Sequence, residues 1–520
     1  MRRPTRVSNS LLLISCLAIL VHLCLVRVKT LRLPPVAPFP PSQTISRDGR
    51  RTSSLAEATT RRSISSDYEL ARRENEAHRE SREEDICTRY GVSYIDDFTH
   101  PTHRRTYCRS SSPSPGAQID CLHNRRAPAE KPDRICIARS VLHEPSDGGA
   151  RMRLACDVVQ DSVLERFKIS MYDTGAGAQL RSWGLRDTDE NACELGRHES
   201  WEQEDGNQTA RDGDDAQLYT VLVKREGGAN LWHTLMEIFS VQLTLDVLYV
   251  AGLLSARDDI RILLEDAKPL GPVGDLWTML SRPHAPPTRI QDVERPTCLR
   301  NVILPLPGGS NPFWDSHWTP LSCSSPSPLL ETFVWRIRRF LDTGPAALHT
   351  HASARVQVTM IERRESRRLV QLGAHVAALE ARFPNVDFTT VDMRALPLKA
   401  QVELVHRTDI LVGVHGAGLT HLLFLAPGAA VVEVMPVGIK EVGFRNAAKL
   451  LGLLYFCVRG MSSDGQERTS EVEEGKDGDE IKRGGWQDRD VFLSEEMWVR
   501  VLDIAIASQG NRGSLALEIR

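Results

Sequence analysis

The stretch Asp409-Ile-Leu-Val-Gly-Val-His-Gly-Ala-Gly-Leu-Thr-His421 decides how this chain is read. Residues 410–414 form an apolar, strand-like run, which passes through His415 into Gly416-Ala417-Gly418. Residues 419–425 then read as helical. In open α/β sheets, ligands bind beyond the carboxyl ends of the strands. Free amides at a helix start, together with the helix dipole, suit a diphosphate. Gly416 and Gly418 let backbone approach a ligand closely. His415 and His421 are candidates to donate hydrogen bonds to phosphate or sugar oxygens. A tight strand-to-helix turn with two packed histidines accounts for the same residues, because glycine turns are common.

On either side of this stretch the chain alternates. Strands are predicted over 356–361, 386–391, 431–434 and 454–458, with helices over 366–382, 398–406, 444–451 and 495–508. Upstream, strands are predicted over 218–223, 259–264 and 301–306, with helices over 230–250 and 329–341. Residues 281–296, rich in Pro and Arg, read as a surface loop. Such alternation implies a largely parallel sheet, and near-continuous apolar strands imply burial on both faces. Residues 462–485 are acidic and Gly-rich, the composition of an exposed insertion.

The N-terminal region is of another kind. Residues 11–26 are the one long apolar run, flanked by Arg2, Arg3 and Arg6 before and Arg27, Lys29 and Arg32 after. It is shorter than the ~20 residues that span a bilayer comfortably and long for a signal-peptide core. No small-x-small cleavage site follows, so an uncleaved signal anchor is expected, with a removed signal peptide as the alternative. Residues 30–85 carry a Pro cluster and then an Arg/Ser/Glu-rich tract, too poor in apolar residues for a core, and read as a disordered stem. Both readings deliver the rest of the chain to the lumen of the endoplasmic reticulum or Golgi. The expected form is a single-pass type II membrane protein, or a soluble luminal protein if the segment is cleaved.

Composition sets outer limits. With 520 residues, 41% hydrophobic content and a net charge of −3, the chain can build sizeable cores and lacks the basic excess of a general nucleic-acid binder. Asn207-Gln208-Thr209 is a glycosylation sequon. Of eleven cysteines, Cys16 and Cys24 lie in the apolar run, leaving an odd nine elsewhere. Spread cysteines in an oxidising lumen favour disulfides, and no spacing suggests zinc. The strings Asp187/Asp189, Asp212/Asp214, Asp477/Asp479 and Asp488/Asp490 resemble cation-binding pairs, but chance accounts for each. The Rossmann glycine fingerprint and the P-loop are both absent from the sequence.

Two further segments could carry chemistry. In Asn230-Leu-Trp-His-Thr-Leu-Met-Glu237, helical spacing puts Asn230, His233 and Glu237 on one face. Such a trio could position an acceptor hydroxyl and take its proton. A helix cap plus a satisfied core histidine is the alternative. In Glu362-Arg-Arg-Glu-Ser-Arg-Arg368, just past a strand, Arg363 and Arg367 are expected one helical turn apart. Two such guanidiniums could neutralise a leaving diphosphate, although an arginine-rich tract is more often a solvated face.

Taken together, these segments resemble glycosyltransferase family 61. The block 408–436 is similar to its EGF-domain-specific O-linked N-acetylglucosamine transferase branch. Asn230-Leu-Trp-His233, Arg363 with its neighbours, and Trp486-Gln-Asp-Arg-Asp-Val491 are similar to family blocks in the same order. The resemblance implies two Rossmann-like domains of GT-B type facing a cleft, inversion at the anomeric carbon and no required metal or other cofactor. Residues 86–345 would form the acceptor-side domain, and 346–510 the nucleotide-sugar domain, after the anchor (1–29) and stem (30–85). Donor phosphates of a UDP-sugar would meet Arg363, Arg367, His415, Gly416, Ala417, Gly418 and His421. Glu237, ahead of His233, would be the base, with Asn230 positioning the acceptor. Transfer of N-acetylglucosamine to a hydroxyl of a secreted or membrane glycoprotein is the leading expectation. Pentosyl transfer from a donor such as UDP-xylose, or a non-catalytic carbohydrate-binding protein of the same fold, are the alternatives.

Overall fold

The computed structural model describes residues 90–510, except 111–115, 125–133, 147–148, 160–173, 186–192, 194–215, 227–229, 316–318, 322–325, 344–354 and 462–488. The apolar run 11–26, the stem, Asn207, the first three Asp-x-Asp strings, Asp488, Trp486 and the acidic insertion lie outside the described residues. Among the described residues, no helix is long and apolar enough to cross a membrane. The fold is mixed α/β, with two sheets in one compact unit, Glu83–Arg520.

The first sheet has ten strands: β1 (Arg104–Arg109), β2 (Gln118–His123), β3 (Arg134–Ser146), β4 (Gly149–Leu154), β5 (Asp157–Val158), β6 (Gly184–Leu185), β7 (Leu218–Val223), β8 (Asp259–Leu264), β9 (Thr288–Arg289) and β10 (Thr297–Leu304). Their main order is β5-β1-β2-β3-β10-β7-β8-β9. Only part of it follows the Rossmann-like arrangement expected over 86–345. Strands β10, β7, β8 and β9 are parallel, whereas β5, β1, β2, β3 and β10 pair antiparallel. Disulfides Cys108–Cys156, Cys121–Cys136 and Cys193–Cys298 staple this region, and the second joins residues directly opposite on β2 and β3. Among the described residues Cys457 is the free thiol. The stretch 281–296 supplies edge strand β9 and the buried Ile290, so it is more than a surface loop. Helix α1 (Leu231–Val250) covers the sheet, and α2 (Pro328–Phe340) follows β10.

The second sheet is wholly parallel: β11 (Val356–Ile361), β12 (Val386–Val391), β13 (Ile410–Val414), β14 (Ala430–Met435) and β15 (Leu454–Arg459), in the order β12-β11-β13-β14-β15. Every residue of β13 and β14 is buried, as continuous apolar strands covered on both faces should be. Leu411 and Val431 join a core with Val402 and Val405 of α4 (Leu398–His406) and Ala448 of α5 (Gly443–Leu450). Val412 and Val432 face the other way, toward Leu379 of α3 (Leu372–Arg382) and Trp498 of α6 (Glu495–Gly510). This one-in, one-out alternation is the period-2 geometry of a strand serving two cores.

Helix α3 starts at Leu372, six residues later than the expected Ser366. Arg367 and Gln371 adopt left-handed φ of 55° and 59°. Arg368 is drawn to Asp490 instead, with Nη2 to Oδ2 at 2.6 Å, and Leu369 bridges Val491. Asp490, half of a string credited to chance, is therefore a structural ligand for the arginine loop.

Candidate active site

In the order β12-β11-β13-β14-β15, successive connections leave β11 in opposite directions. The gap between β11 and β13 is the switch point at which such sheets open a crevice. The arginine loop follows β11, and the glycine turn follows β13. Gly416 has φ +135°, and a Cβ there would lie 2.5 Å from Arg367 Nη1 and 3.1 Å from Arg363 Nη1. Glycine is thus required twice, by backbone conformation and by the guanidiniums crossing it. Arg363 Nε donates to Ser366 O at 2.9 Å and Arg367 Nη1 to His415 O at 3.2 Å. The two arginines do converge, but through a loop and not along a helix. Burial, with the nearby charges of Arg367 and Arg394, pulls Arg363 down to about 10. An anion placed here would relieve that crowding. A cavity of roughly 270 Å³ opens beside Arg363, lined also by Met360, Arg368, Leu372, Val414 and Trp498 but not by Arg367.

The turn's histidines face inward. His415 Nδ1 lies 2.6 Å from Glu433 Oε1, and its Nε2 lies 3.2 Å from Glu441 Oε2. Burial opposes charge on this ring, but the two carboxylates prevail and raise its pKa to about 9. With both nitrogens engaged by protein carboxylates, His415 shapes the turn and does not reach for a phosphate. His421 is buried, with Nδ1 2.7 Å from Gly418 O and Nε2 2.7 Å from Gln401 Oε1. Burial lowers its pKa to about 4, against the Gly418 contact. The residues Ala417–Phe424 form a 3-10 helix, tighter than the α-helix expected over 419–425. Of the expected donor-site residues, that leaves Arg363, Arg367 and the Gly416–Gly418 backbone as candidate anion-binding groups.

The first sheet presents a second set of residues at its own strand ends. Parallel neighbours β7 and β10 end at the same edge. Beyond β7, buried Arg225 binds Asp266 through Nη2 at 2.6 Å and donates from Nη1 to Pro269 O at 3.1 Å. Lys268 Nζ donates to Glu226 O at 2.7 Å, which ties Glu226 to the segment after β8. Asn230 caps α1, its Oδ1 accepting from Trp232 N at 3.0 Å and His233 N at 3.3 Å. Asn230 thus uses its side-chain oxygen on the helix start, before the helix proper. Glu237, the expected base, is only 3% exposed. Its Oε1 accepts the Glu226 N–H, and Gly308 packs so closely that a Cβ would lie 2.8 Å from Glu237 Cγ. Of the two titratable members of the trio His233 is the accessible one, its side chain 31% exposed and its ring 4.4 Å from that of Trp314. Burial lowers its pKa, and Glu441 opposes that shift.

Glu226 was not singled out from sequence. Its Oε1 accepts from Gly309 N at 3.1 Å and Thr174 Oγ1 at 3.5 Å. Its Oε2 is buried, without a hydrogen bond among the described residues, 3.9 Å from His233 Nδ1. Burial lifts its pKa to about 7, against the Gly309 and Thr174 bonds and the Lys268 charge. A carboxylate three residues past a buried strand was the available signal.

The two sets of strand ends meet. Phe444 packs 5.4 Å from Trp232 and 5.4 Å from His415, ring to ring. Glu441 bonds His415 and lies within electrostatic reach of His233.

Residues 232–432 match the family model described as Glycosyltransferase 61. Over that stretch the chain is similar to glycosyltransferase family 61. The family 61 match holds His233, Glu237, the two arginines and the glycine turn. Glu226, Glu433 and Glu441 fall just outside it. The chain is 29% identical over 241 residues to EGF domain-specific O-linked N-acetylglucosamine transferase of Drosophila melanogaster, covering 45% of this chain and 44% of that protein. The Xenopus laevis protein of the same name is 29% identical over 223 residues, covering 41% and 40%. A Beta-1,2-xylosyltransferase of Oryza sativa subsp. japonica is 37% identical over 89 residues, covering 17% and 18%. The chain thus spans under half the length of the curated relatives it matches. A glycosyl transferase family 9 structure from Veillonella parvula covers 56% of this chain and 98% of its own, at 8% identity and a TM-score of 0.25, too slight to bear on the fold. Among the described residues, no three His, Cys, Asp or Glu side chains group to hold a metal ion.

Proposed function

We propose that this chain is an inverting glycosyltransferase of GT-B type that moves N-acetylglucosamine from UDP-N-acetylglucosamine to a hydroxyl of a secretory-pathway glycoprotein. The observation that carries the reading is the convergence of Arg363 and Arg367 over Gly416 at the switch point. Two crowded guanidiniums and a glycine turn suit a diphosphate. The relatives named for O-linked N-acetylglucosamine transfer supply the sugar. Three disulfides among the described residues fit an oxidising lumen. Anchorage through residues 11–26 remains part of the proposal.

In the reaction, an acceptor oxygen attacks the anomeric carbon as the carbon–oxygen bond to the diphosphate breaks. UDP leaves with the bonding electrons, and the acceptor proton passes to a base. Burial of Glu237 moves that role to half-buried His233, the accessible titratable member of the trio. Arg363 and Arg367 would bear the charge developing on the diphosphate, a fixed electrostatic stabilisation that needs no metal. Held between the two sets of strand ends, the substrates would lose little further entropy on reaction.

A pentosyl donor is the second reading, favoured by the xylosyltransferase match at 37% identity. A screen of UDP release from several UDP-sugars decides between them. Turnover with UDP-xylose but not UDP-N-acetylglucosamine would replace the first reading. No turnover with any donor would leave a carbohydrate-binding protein. Activity lost to EDTA would overturn the metal-independent mechanism.

A further inference from the structure

We propose that Glu226 is a positioning residue, whose buried Oε2 accepts the His233 Nδ1–H and thereby leaves Nε2 as the basic nitrogen for the acceptor hydroxyl. The inference rests on the reading of His233 as base. Its evidence is the carboxylate itself. Glu226 has a side chain only 4% exposed, and one of its oxygens is anchored by Gly309 N–H and the Thr174 hydroxyl. The other oxygen has no hydrogen bond among the described residues. A buried acceptor left in that state is costly, and folded proteins rarely keep one without a use.

The donor within reach is His233 Nδ1, 3.9 Å away. Closing that gap to hydrogen-bond distance needs a shift of about 1 Å, the kind of tightening that catalytic contacts undergo when substrate binds. Trp314, at 4.4 Å, packs edge-on against the imidazole and limits its rotation. A carboxylate on Nδ1 fixes the tautomer with its lone pair on Nε2 and stabilises the imidazolium that follows proton transfer. This is the orienting role of the acid in a nucleophile–base–acid triad. Other charges around the pair are accounted for. Lys268 bonds the Glu226 and Arg225 carbonyls, Glu237 accepts the Glu226 N–H, and Arg225 is tied to Asp266. Glu441 lies within electrostatic reach of His233. Because burial holds Glu226 near 7, its ionisation and the orienting bond vary across neutral pH.

The test uses the full chain and follows UDP release from UDP-N-acetylglucosamine, with water as acceptor. Glu226→Gln keeps the shape and the Gly309 bond, but its amide imposes the wrong tautomer on His233. We expect kcat to fall ~100-fold or more, with the donor KM within about twofold. The acid limb of the kcat profile near pH 7 should vanish, Glu226→Asp should restore part of kcat, and Glu226→Gln should cost nothing further in a His233→Gln background. Full kcat in Glu226→Gln overturns the proposal. So does a loss with the acid limb intact that multiplies with His233→Gln, since that is the mark of a merely structural role. If His233→Gln is fully active, the base reading fails and Glu226 fails with it. A wild type that releases no UDP sinks the transfer reading first and this proposal with it.

Discussion

The imidazolium at the glycine turn makes a pH dependence that can be isolated. His415 is 5% exposed and Glu433 1% exposed, so solvent screens their contact little. The folded pKa of His415 is about 9, against an ordinary 6.5. A gap of 9 − 6.5 = 2.5, at ~1.4 kcal/mol per unit, gives about 3 kcal/mol. The folded value is raised, so the folded state binds the proton more tightly. The stabilisation is complete below pH 6.5, declines between 6.5 and 9, and is gone above 9. Urea unfolding of the wild type and His415→Gln at about pH 6 and pH 9.5 reads it directly, because all other titrations cancel in the difference. The wild-type advantage should shrink by about 3 kcal/mol between the two. An advantage of equal size at both pH values would show that the ring is not held charged by Glu433 and Glu441.

Two further perturbations test the frame on either side. Gly416→Ala forces a side chain into φ +135° and against Arg367. It should cost about 1–3 kcal/mol of stability and weaken UDP binding roughly tenfold or more by calorimetry; unchanged UDP affinity would move the diphosphate elsewhere. Arg225→Ala strips Asp266 of its buried partner and should destabilise by about 3–5 kcal/mol in urea unfolding, while Arg225→Met with Asp266→Leu should recover most of the loss.

Much of the second sheet was legible in the sequence. Strands expected over 356–361, 386–391 and 410–414 coincide with β11, β12 and β13. Parallel strands covered on both faces, as β13 is, must be apolar throughout, so their limits show as abrupt composition changes, whereas edge strand β12 shows through its β-branched and aromatic residues. The largely antiparallel β1–β6 region escaped notice. Its antiparallel strands need no continuous apolar run, and disulfides supply part of their cohesion. Glu433 was a signal left unused. A carboxylate inside Ala430–Met435, otherwise apolar and fully buried, demands a partner.

The glycine turn shows where each source of information stops. Sequence by itself determined that a buried strand runs into a Gly-Ala-Gly turn and that arginines follow a neighbouring strand, because chain composition and local conformational preference fix both. Tertiary structure alone decided which side chains face outward there. It turned His415 and His421 into internal supports and brought Arg363 and Arg367 over Gly416 by a left-handed loop. It also buried Glu237 while setting Glu226 against His233. Those outcomes depend on partners far along the chain, such as Glu441 for His415 and Asp490 for Arg368. Hydrogen bonds and desolvation act across space, and no local pattern encodes them.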